Sequence, residues 1–259
     1  MDIYEAPANY RPTARLLQGR RILVTGAGDG IGRAAALAYA AHGATVILLG
    51  RTTAKLEAVY DEIEQSGGAQ PAIIELDLAT ANEQNFLNLA SSLAQEFEQL
   101  DGLLHNAGVL GERRPIESAT WPAWEEVMQV NVNAQFLMTR ALLPLLQAAP
   151  SASVIFTSSG VGRQGRAYWG AYAVSKFATE GLMQVLADEL ENTSRVRVNS
   201  INPGGTNTAM RRAAYPAENP TDNPDPLALM PTYLFLMGDD SLGVTGRAFN
   251  ALYLGFFAY

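Results

Sequence analysis

The sequence predicts one α/β domain spanning 1–259, in which a doubly wound, mostly parallel sheet of seven strands carries helices on both faces. Three observations predict it. Short β-branched apolar runs alternate along the chain with longer stretches of helical periodicity. Those runs are apolar on both faces, as strands covered by helices on each side must be. The 259 residues, 48% apolar and 17% charged, contain no repeat and no linker at which to divide them.

Strands are expected at 21–25 (RILVT), 44–49 (ATVILL), 72–76 (AIIEL), 102–105 (GLLH), 153–157 (SVIFT) and 195–201 (RVRVNSI), with a weaker seventh at 247–252. Helical periodicity covers 31–42, 53–65, 81–98, 121–146, 172–190 and 226–237. Right-handed crossovers align the C-terminal ends of the strands along one edge, where a ligand is expected. Residues 1–18 read as an N-terminal extension without the apolar core of a secretory signal. Residues 209–226 hold Pro216, Pro220, Pro224 and Pro226 among polar side chains. Such a segment is not expected to be regular, and its length suggests a substrate loop or lid.

Composition removes several functions. There are no cysteines, so disulfides, thiolate nucleophiles, Fe–S clusters and Cys-ligated zinc are excluded. Only His42 and His105 could supply imidazole, so no metal site is expected. A formal charge of −8 repels phosphate backbones and argues against a nucleic-acid partner. The charge-free stretch 141–162 is broken by Pro144, Pro150, four serines and Thr157, which fits a helix end, turn and strand better than a membrane span. A cytoplasmic location and no membrane partner are expected.

The first strand runs into Thr25-Gly26-Ala27-Gly28-Asp29-Gly30-Ile31-Gly32 and an alanine-rich helix. Glycines let backbone N–H groups approach a pyrophosphate, and the helix N-terminus favours its charge. A plain glycine turn is the alternative. The strand–turn–helix context favours a Rossmann-type dinucleotide cradle. The spacing is T-G-x-x-x-G-x-G, through Thr25, Gly26, Gly30 and Gly32.

In the second half, Tyr172 and Lys176 stand four positions apart on an expected helix and share one face. A lysine ammonium beside a phenol is expected to lower its pKa from about 10 toward the range useful in acid–base catalysis. Ser159 ends a strand and so belongs to the ligand edge, with its neighbour Ser158 as competitor. His105 reads as a packed strand end, and His42 as a partner for a helix C-terminus.

With these motifs the chain resembles the short-chain dehydrogenase/reductase family in its single-domain branch, over nearly its whole length. Asp77, Asn106-Ala107-Gly108, Asn131, Ser159, Tyr172-x-x-x-Lys176 and Pro203-Gly204 stand in the family's order. The resemblance implies an oxidoreductase that moves a hydride between a nicotinamide and a carbonyl or alcohol. Tyr172 would transfer the proton, Lys176 hold the nicotinamide ribose and Ser159 bond the substrate oxygen. Asn131, with Asn133 as competitor, would join Lys176 to solvent through a water. It also implies cofactor contacts from Asp77, Leu78, Asn106, Ala107, Gly108, Pro203, Gly204, Thr206 and Thr208. A homodimer or homotetramer, paired through the helices at 121–146 and around Tyr172, is implied as well. The C-terminal Gly255-Phe256-Phe257-Ala258-Tyr259 departs from the family's glycine-rich ending.

Cofactor choice can be read from the residues. NAD sites place an acid at the end of the second strand to hold the ribose 2′-hydroxyl. Here that strand ends Leu49-Gly50-Arg51-Thr52, so Arg51 and Thr52 are expected to bind a 2′-phosphate, which the missing acid favours over a solvated loop cation at Arg51. NADP is therefore expected over NAD, with Asp29 as the counter-signal. Arg163, Arg166, Arg211 and Arg212 crowd segments near the site, with Trp169 and Tyr215 as an apolar wall. They would suit an anionic substrate, or they could be paired with acids or with cofactor phosphates. Two rival functions remain: a non-catalytic nucleotide sensor, against which the intact Tyr172, Lys176, Ser159 and Asn131 set argues, and a nucleotide-sugar epimerase or dehydratase, whose relatives generally have longer chains with a C-terminal substrate domain.

Overall fold

The structure is a computed structural model and describes residues 2–252. Its strands are β1 (Ile3–Glu5), β2 (Arg21–Thr25), β3 (Thr45–Gly50), β4 (Ala72–Glu75), β5 (Gly102–His105), β6 (Ala152–Thr157), β7 (Val196–Asn202) and β8 (Arg247–Asn250). They form one wholly parallel sheet in the order β1-β8-β7-β6-β5-β2-β3-β4. The helices are α1 (Gly30–Ala41), α2 (Thr53–Gln65), α3 (Glu83–Glu96), α4 (Trp121–Met128), α5 (Ala134–Ala148), α6 (Gly170–Leu190), α7 (Ala209–Ala214) and α8 (Met230–Met237).

Alternation along each strand builds the layers. Ile22 and Val24 of β2, with Val46 and Leu48 of β3, pack against α1, α2 and α8. Leu23, Ile47, Leu49 and Leu103 point the other way, against α3, α5 and α6. Because both faces are covered, the strands read as continuous apolar runs. The chain winds from β2 to β3 and β4, then returns to place β5 on the other side of β2. That reversal opens a crevice beyond the C-terminal ends of β2 and β5.

The structure corrects five expectations. The sheet has eight strands, because Ile3–Glu5 adds to the outer edge of β8 in the register Ile3↔Ala248, Tyr4↔Phe249. Three partly exposed residues are too few to show a period, and the edge of β8 supplies their hydrogen bonds. Residues 1–18 are consequently part of the domain rather than an appendage. Leu17 is fully buried, and Tyr10 packs on Phe235 and donates to Asp240 at 2.6 Å. The single helix expected over 121–146 is interrupted by a π-helical turn, Gln129–Asn133, between α4 and α5. The segment 209–226 opens with the regular helix α7, capped by the Thr208 hydroxyl accepting from the Arg211 N–H at 3.2 Å. Residues 226–237 begin as a 3₁₀ turn, Pro226–Leu229, before α8. The aromatic residues 255–259 lie outside the described residues.

Among the described residues no helix is long and apolar enough to cross a membrane, and no group of His, Cys, Asp or Glu could hold a metal ion.

Candidate active site

The glycine turn is cross-tied to the neighbouring strand. Thr25 Oγ1 accepts from the N–H groups of Asn106 (2.9 Å) and Ala107 (3.0 Å) and donates to the Leu104 carbonyl, while the Asn106 amide donates to the Thr25 carbonyl. These bonds close β2 onto β5 at the mouth of the crevice. Gly26 takes φ +67°, a conformation costly for any side chain. Gly32 is required for a different reason: a Cβ there would lie 2.2 Å from the Gly26 carbonyl oxygen and 2.6 Å from Asn106 Nδ2. The α1 N-terminus can therefore come flush against the turn.

A cavity of about 560 Å³ runs from this turn toward Tyr172. At one end it is walled by Gly26, Gly28, Asp29, Gly30 and Ile31, then by Arg51 and Thr52. Asp77 and Leu78 follow β4, and Asn106, Ala107 and Gly108 follow β5. Ser158, Tyr172 and Lys176 line the far end, and Pro203 and Thr208 also belong to the wall, Thr208 beside Gly30. Thr25, Gly32, Asn131, Ser159, Gly204 and Thr206 stand outside that wall. Thr25 and Gly32 shape the turn, Gly204 turns the chain at φ +69°, and Thr206, 3% exposed, donates to the Pro203 carbonyl.

Lys55 belongs to the wall and was not anticipated. It sits four positions after Arg51 in the first turn of α2, a spacing that could have signalled it. Its ammonium bonds the Asp29 carboxylate at 2.5 Å and holds that carboxyl below its usual range. Asp29 also caps α1, accepting from Gly30 N–H at 2.7 Å, so the acid that looked hostile to a phosphate is already compensated. The Thr52 hydroxyl, at the α2 N-cap, caps no backbone group.

At the far end Tyr172 and Lys176 are almost completely buried. Lys176 Nζ donates to the Thr157 carbonyl at 2.7 Å and lies 5.6 Å from the centre of the Tyr172 ring. Burial pulls the lysine down to about 8, opposed by the charge of Glu180. Burial likewise pushes the Tyr172 phenol up to about 12, opposed by a hydrogen bond with Ser159. The net shift is thus opposite to the lowering expected from Lys176, because burial of the phenol outweighs any help from the ammonium. Ser159 is thus the serine that touches Tyr172. Ser158 is 1% exposed, lines the cavity, and its Oγ has no partner among the described residues.

Asn131 lies in the π-helical turn, fully buried. Its Oδ1 accepts from the Val109 N–H at 2.9 Å, and its Nδ2 donates to the Val109 carbonyl and to Ser175 Oγ, each at 3.0 Å. The amide is therefore occupied in fastening the β5 loop to α6. Asn133, its competitor, is exposed, and its side-chain amide donates to Gln129. His105 is the packed residue expected, stacked on Phe156 at 4.8 Å, and His42 Nδ1 meets the Ala38 carbonyl at 2.8 Å near the end of α1.

The arginines divide sharply. Arg163, 9% exposed, pairs with Glu180 at 3.0 Å and also bonds Asn250 and Phe249, so it faces away from the cavity. Arg211 is held by Glu218 through two 2.6 Å bonds, and Arg212 donates to Asn207. Arg166 is exposed. Trp169 lies 5.7 Å from Tyr172 and 6.0 Å from Tyr215 between ring centres, in an apolar cluster next to the cavity, and neither Trp169 nor Tyr215 lines it.

Comparison with known proteins agrees with this geometry. Residues 20–219 match the family model described as short chain dehydrogenase. The chain is 56% identical to the oxidoreductase YciK of Escherichia coli (strain K12) over 94% of this chain and 96% of that one. It superposes on a short chain dehydrogenase from Pseudomonas syringae with TM-score 0.91 at 59% identity, covering 94% of this chain and 99% of that one. A short chain dehydrogenase from Shigella flexneri 2a str. 301, complexed with NADP, gives TM-score 0.90 at 55% identity over 92% and 99% of the two chains.

Proposed function

This chain belongs to the short-chain dehydrogenase family and is an oxidoreductase of that type, and from that premise we propose that it is an NADP-dependent carbonyl reductase or alcohol dehydrogenase with Tyr172 as acid–base group. The observation that carries the reading is one cavity shared by the glycine turn at one end and the buried Tyr172–Lys176 pair, with Ser159 on the phenol, at the other. Membership of an oxidoreductase family favours the enzyme reading over the sensor alternative.

The residues fit a dinucleotide. A Cβ on Gly28 would stand 2.8 Å from Lys55 Cβ, so the turn keeps side-chain atoms out of the cradle. The α1 N-terminus supplies backbone N–H groups for a pyrophosphate. Arg51, Lys55 and the Thr52 hydroxyl would hold a 2′-phosphate, and no acid at the end of β3 competes for it. Ser158 Oγ, buried without a partner among the described residues, offers a hydroxyl to the nicotinamide end. Asp77, Asn106, Pro203 and Thr208 would complete the contacts. The bound cofactor supplies or accepts the hydride.

The protein's own part is proton chemistry and orientation. In reduction, the Tyr172 hydroxyl donates its proton to the substrate oxygen as charge develops there. Ser159, bonded to the same phenol, shares that oxygen and fixes its position. The ammonium of Lys176, on the same helix face, stabilises the phenolate left behind. Asn131 holds Val109 and Ser175 in register, so that the β5 loop and α6 keep their spacing. We place a second copy of the chain against α5 and α6, where Phe136, Val174, Phe177 and Val185 are exposed.

The test is Tyr172→Phe, which keeps the ring packing and removes the proton. NADPH oxidation with a panel of ketones and aldehydes should fall by about 10²-fold or more, the scale of general acid catalysis. NADPH affinity should stay intact. A variant that retained most of the rate would remove Tyr172 from the mechanism.

A further inference from the structure

One more cation, the exposed Arg113 on the loop between β5 and α4, lies outside the residues that line the cavity but is joined to Tyr172 through Trp169. Its Nη1 donates to the Ala214 carbonyl at the end of α7. Its guanidinium carbon lies 4.6 Å from the Trp169 ring centre and 4.8 Å from that of Tyr215. A carbonyl and two aromatic faces thus fix the fork in place. Since Trp169 is in turn 5.7 Å from Tyr172, two short steps join this guanidinium to the proposed acid–base phenol.

Among the described residues Arg113 has no carboxylate partner. Of the acids near it in the chain or at α7, Glu112 is committed to Arg114 at 3.0 Å and to Thr120, and Glu218 to Arg211, while Glu117 makes no ion pair with Arg113. Its Nε and Nη2 hydrogens make no bond among the described residues. Leu110 and Met210, which line the cavity, pack with Trp169, Tyr172 and Tyr215 in one apolar cluster below it. A cation held beside the site without an ion-pair partner among the described residues, in a chain of net charge −8, favours anions at that point.

We propose that Arg113 recognises a carboxylate on the substrate, whose apolar body rests on Trp169, Tyr215, Leu110 and Met210 with its carbonyl at Tyr172. This rests on the reductase reading above and names the substrate class of that site. The guanidinium fork suits a carboxylate, and held by its neighbours it loses little freedom on binding.

The test compares matched ketones, 4-oxo-4-phenylbutanoate and 4-oxopentanoate, with their methyl esters. In the natural protein kcat/KM should favour each acid by about 10-fold or more, as expected for a charge-assisted bond, and the preference should shrink with added salt. Arg113→Met, which keeps an apolar stem between the rings, should bring the ratio near one, and Arg113→Lys should retain part of it. Melting temperature and NADPH affinity report that both variants fold. Equal rates for acid and ester in the natural protein, or a preference that survives Arg113→Met, overturn the proposal. If no ketone turns over, the reductase reading fails, and Arg113 is then judged by binding. Salt-sensitive quenching of tryptophan fluorescence by 4-oxo-4-phenylbutanoate, lost in Arg113→Met, supports it, and no binding overturns it.

Discussion

His105 ends β5 one residue before the Asn106 tie, 2% exposed, with Nε2 2.8 Å from Thr139 Oγ1 and its ring on Phe156. Desolvation pulls the imidazole down to about 3, against an ordinary 6.5. A group whose folded pKa is depressed is bound by protons mainly in the unfolded chain. Its contribution is complete above pH 6.5 and is lost as pH falls toward 3. The whole window corresponds to about 5 kcal/mol, and about 2 kcal/mol of it is gone at pH 5. For a chain of this length that is a drop in melting temperature of roughly 4–8 °C. The assay is thermal unfolding at pH 7.5 and pH 5 for the natural protein and His105→Gln, which keeps a hydrogen-bonding group for Thr139. Carboxylates contribute equally to both proteins, so the natural protein should lose roughly 4–8 °C more. With only two histidines, His105 is also readily followed by NMR. An imidazole that titrates near pH 6.5, or equal acid losses in the two proteins, would refute the reasoning.

Two further outcomes follow from the cradle. Gly32→Ala puts a methyl 2.2 Å from a backbone oxygen that cannot move independently of the turn, so thermal stability should fall by about 1–3 kcal/mol and NADPH binding should weaken. Unchanged melting and unchanged NADPH affinity would remove the close-approach argument. Arg51→Ala should weaken NADPH by about 10–100-fold and leave NADH nearly untouched, and Lys55→Ala should act in the same direction because it also releases the charge of Asp29. Titrations showing tighter NADH than NADPH binding, or no loss in either variant, would contradict the 2′-phosphate assignment.

Much of this protein is legible in its sequence because the information is local. Ile22, Leu23 and Val24 alternate between two apolar layers, and that alternation with helical stretches is enough to require a parallel sheet covered on both sides. The turn from Thr25 to Gly32 and the Tyr172–Lys176 spacing are likewise short-range patterns whose chemistry follows from residue type. The tertiary structure decided what depends on partners distant in sequence. Ile3–Glu5 became a strand only because β8, more than 240 positions away, offers an open edge. Asn131 sits in a π-helical turn that no periodicity announces, because its geometry is set by Val109 and Ser175. The arginines needed it most: Arg163 faces Glu180, Arg211 faces Glu218, and Arg113 stands uncompensated between two rings. Whether a charge is available to a ligand depends on what lies within a few ångströms of it, because a paired charge is largely cancelled at longer range.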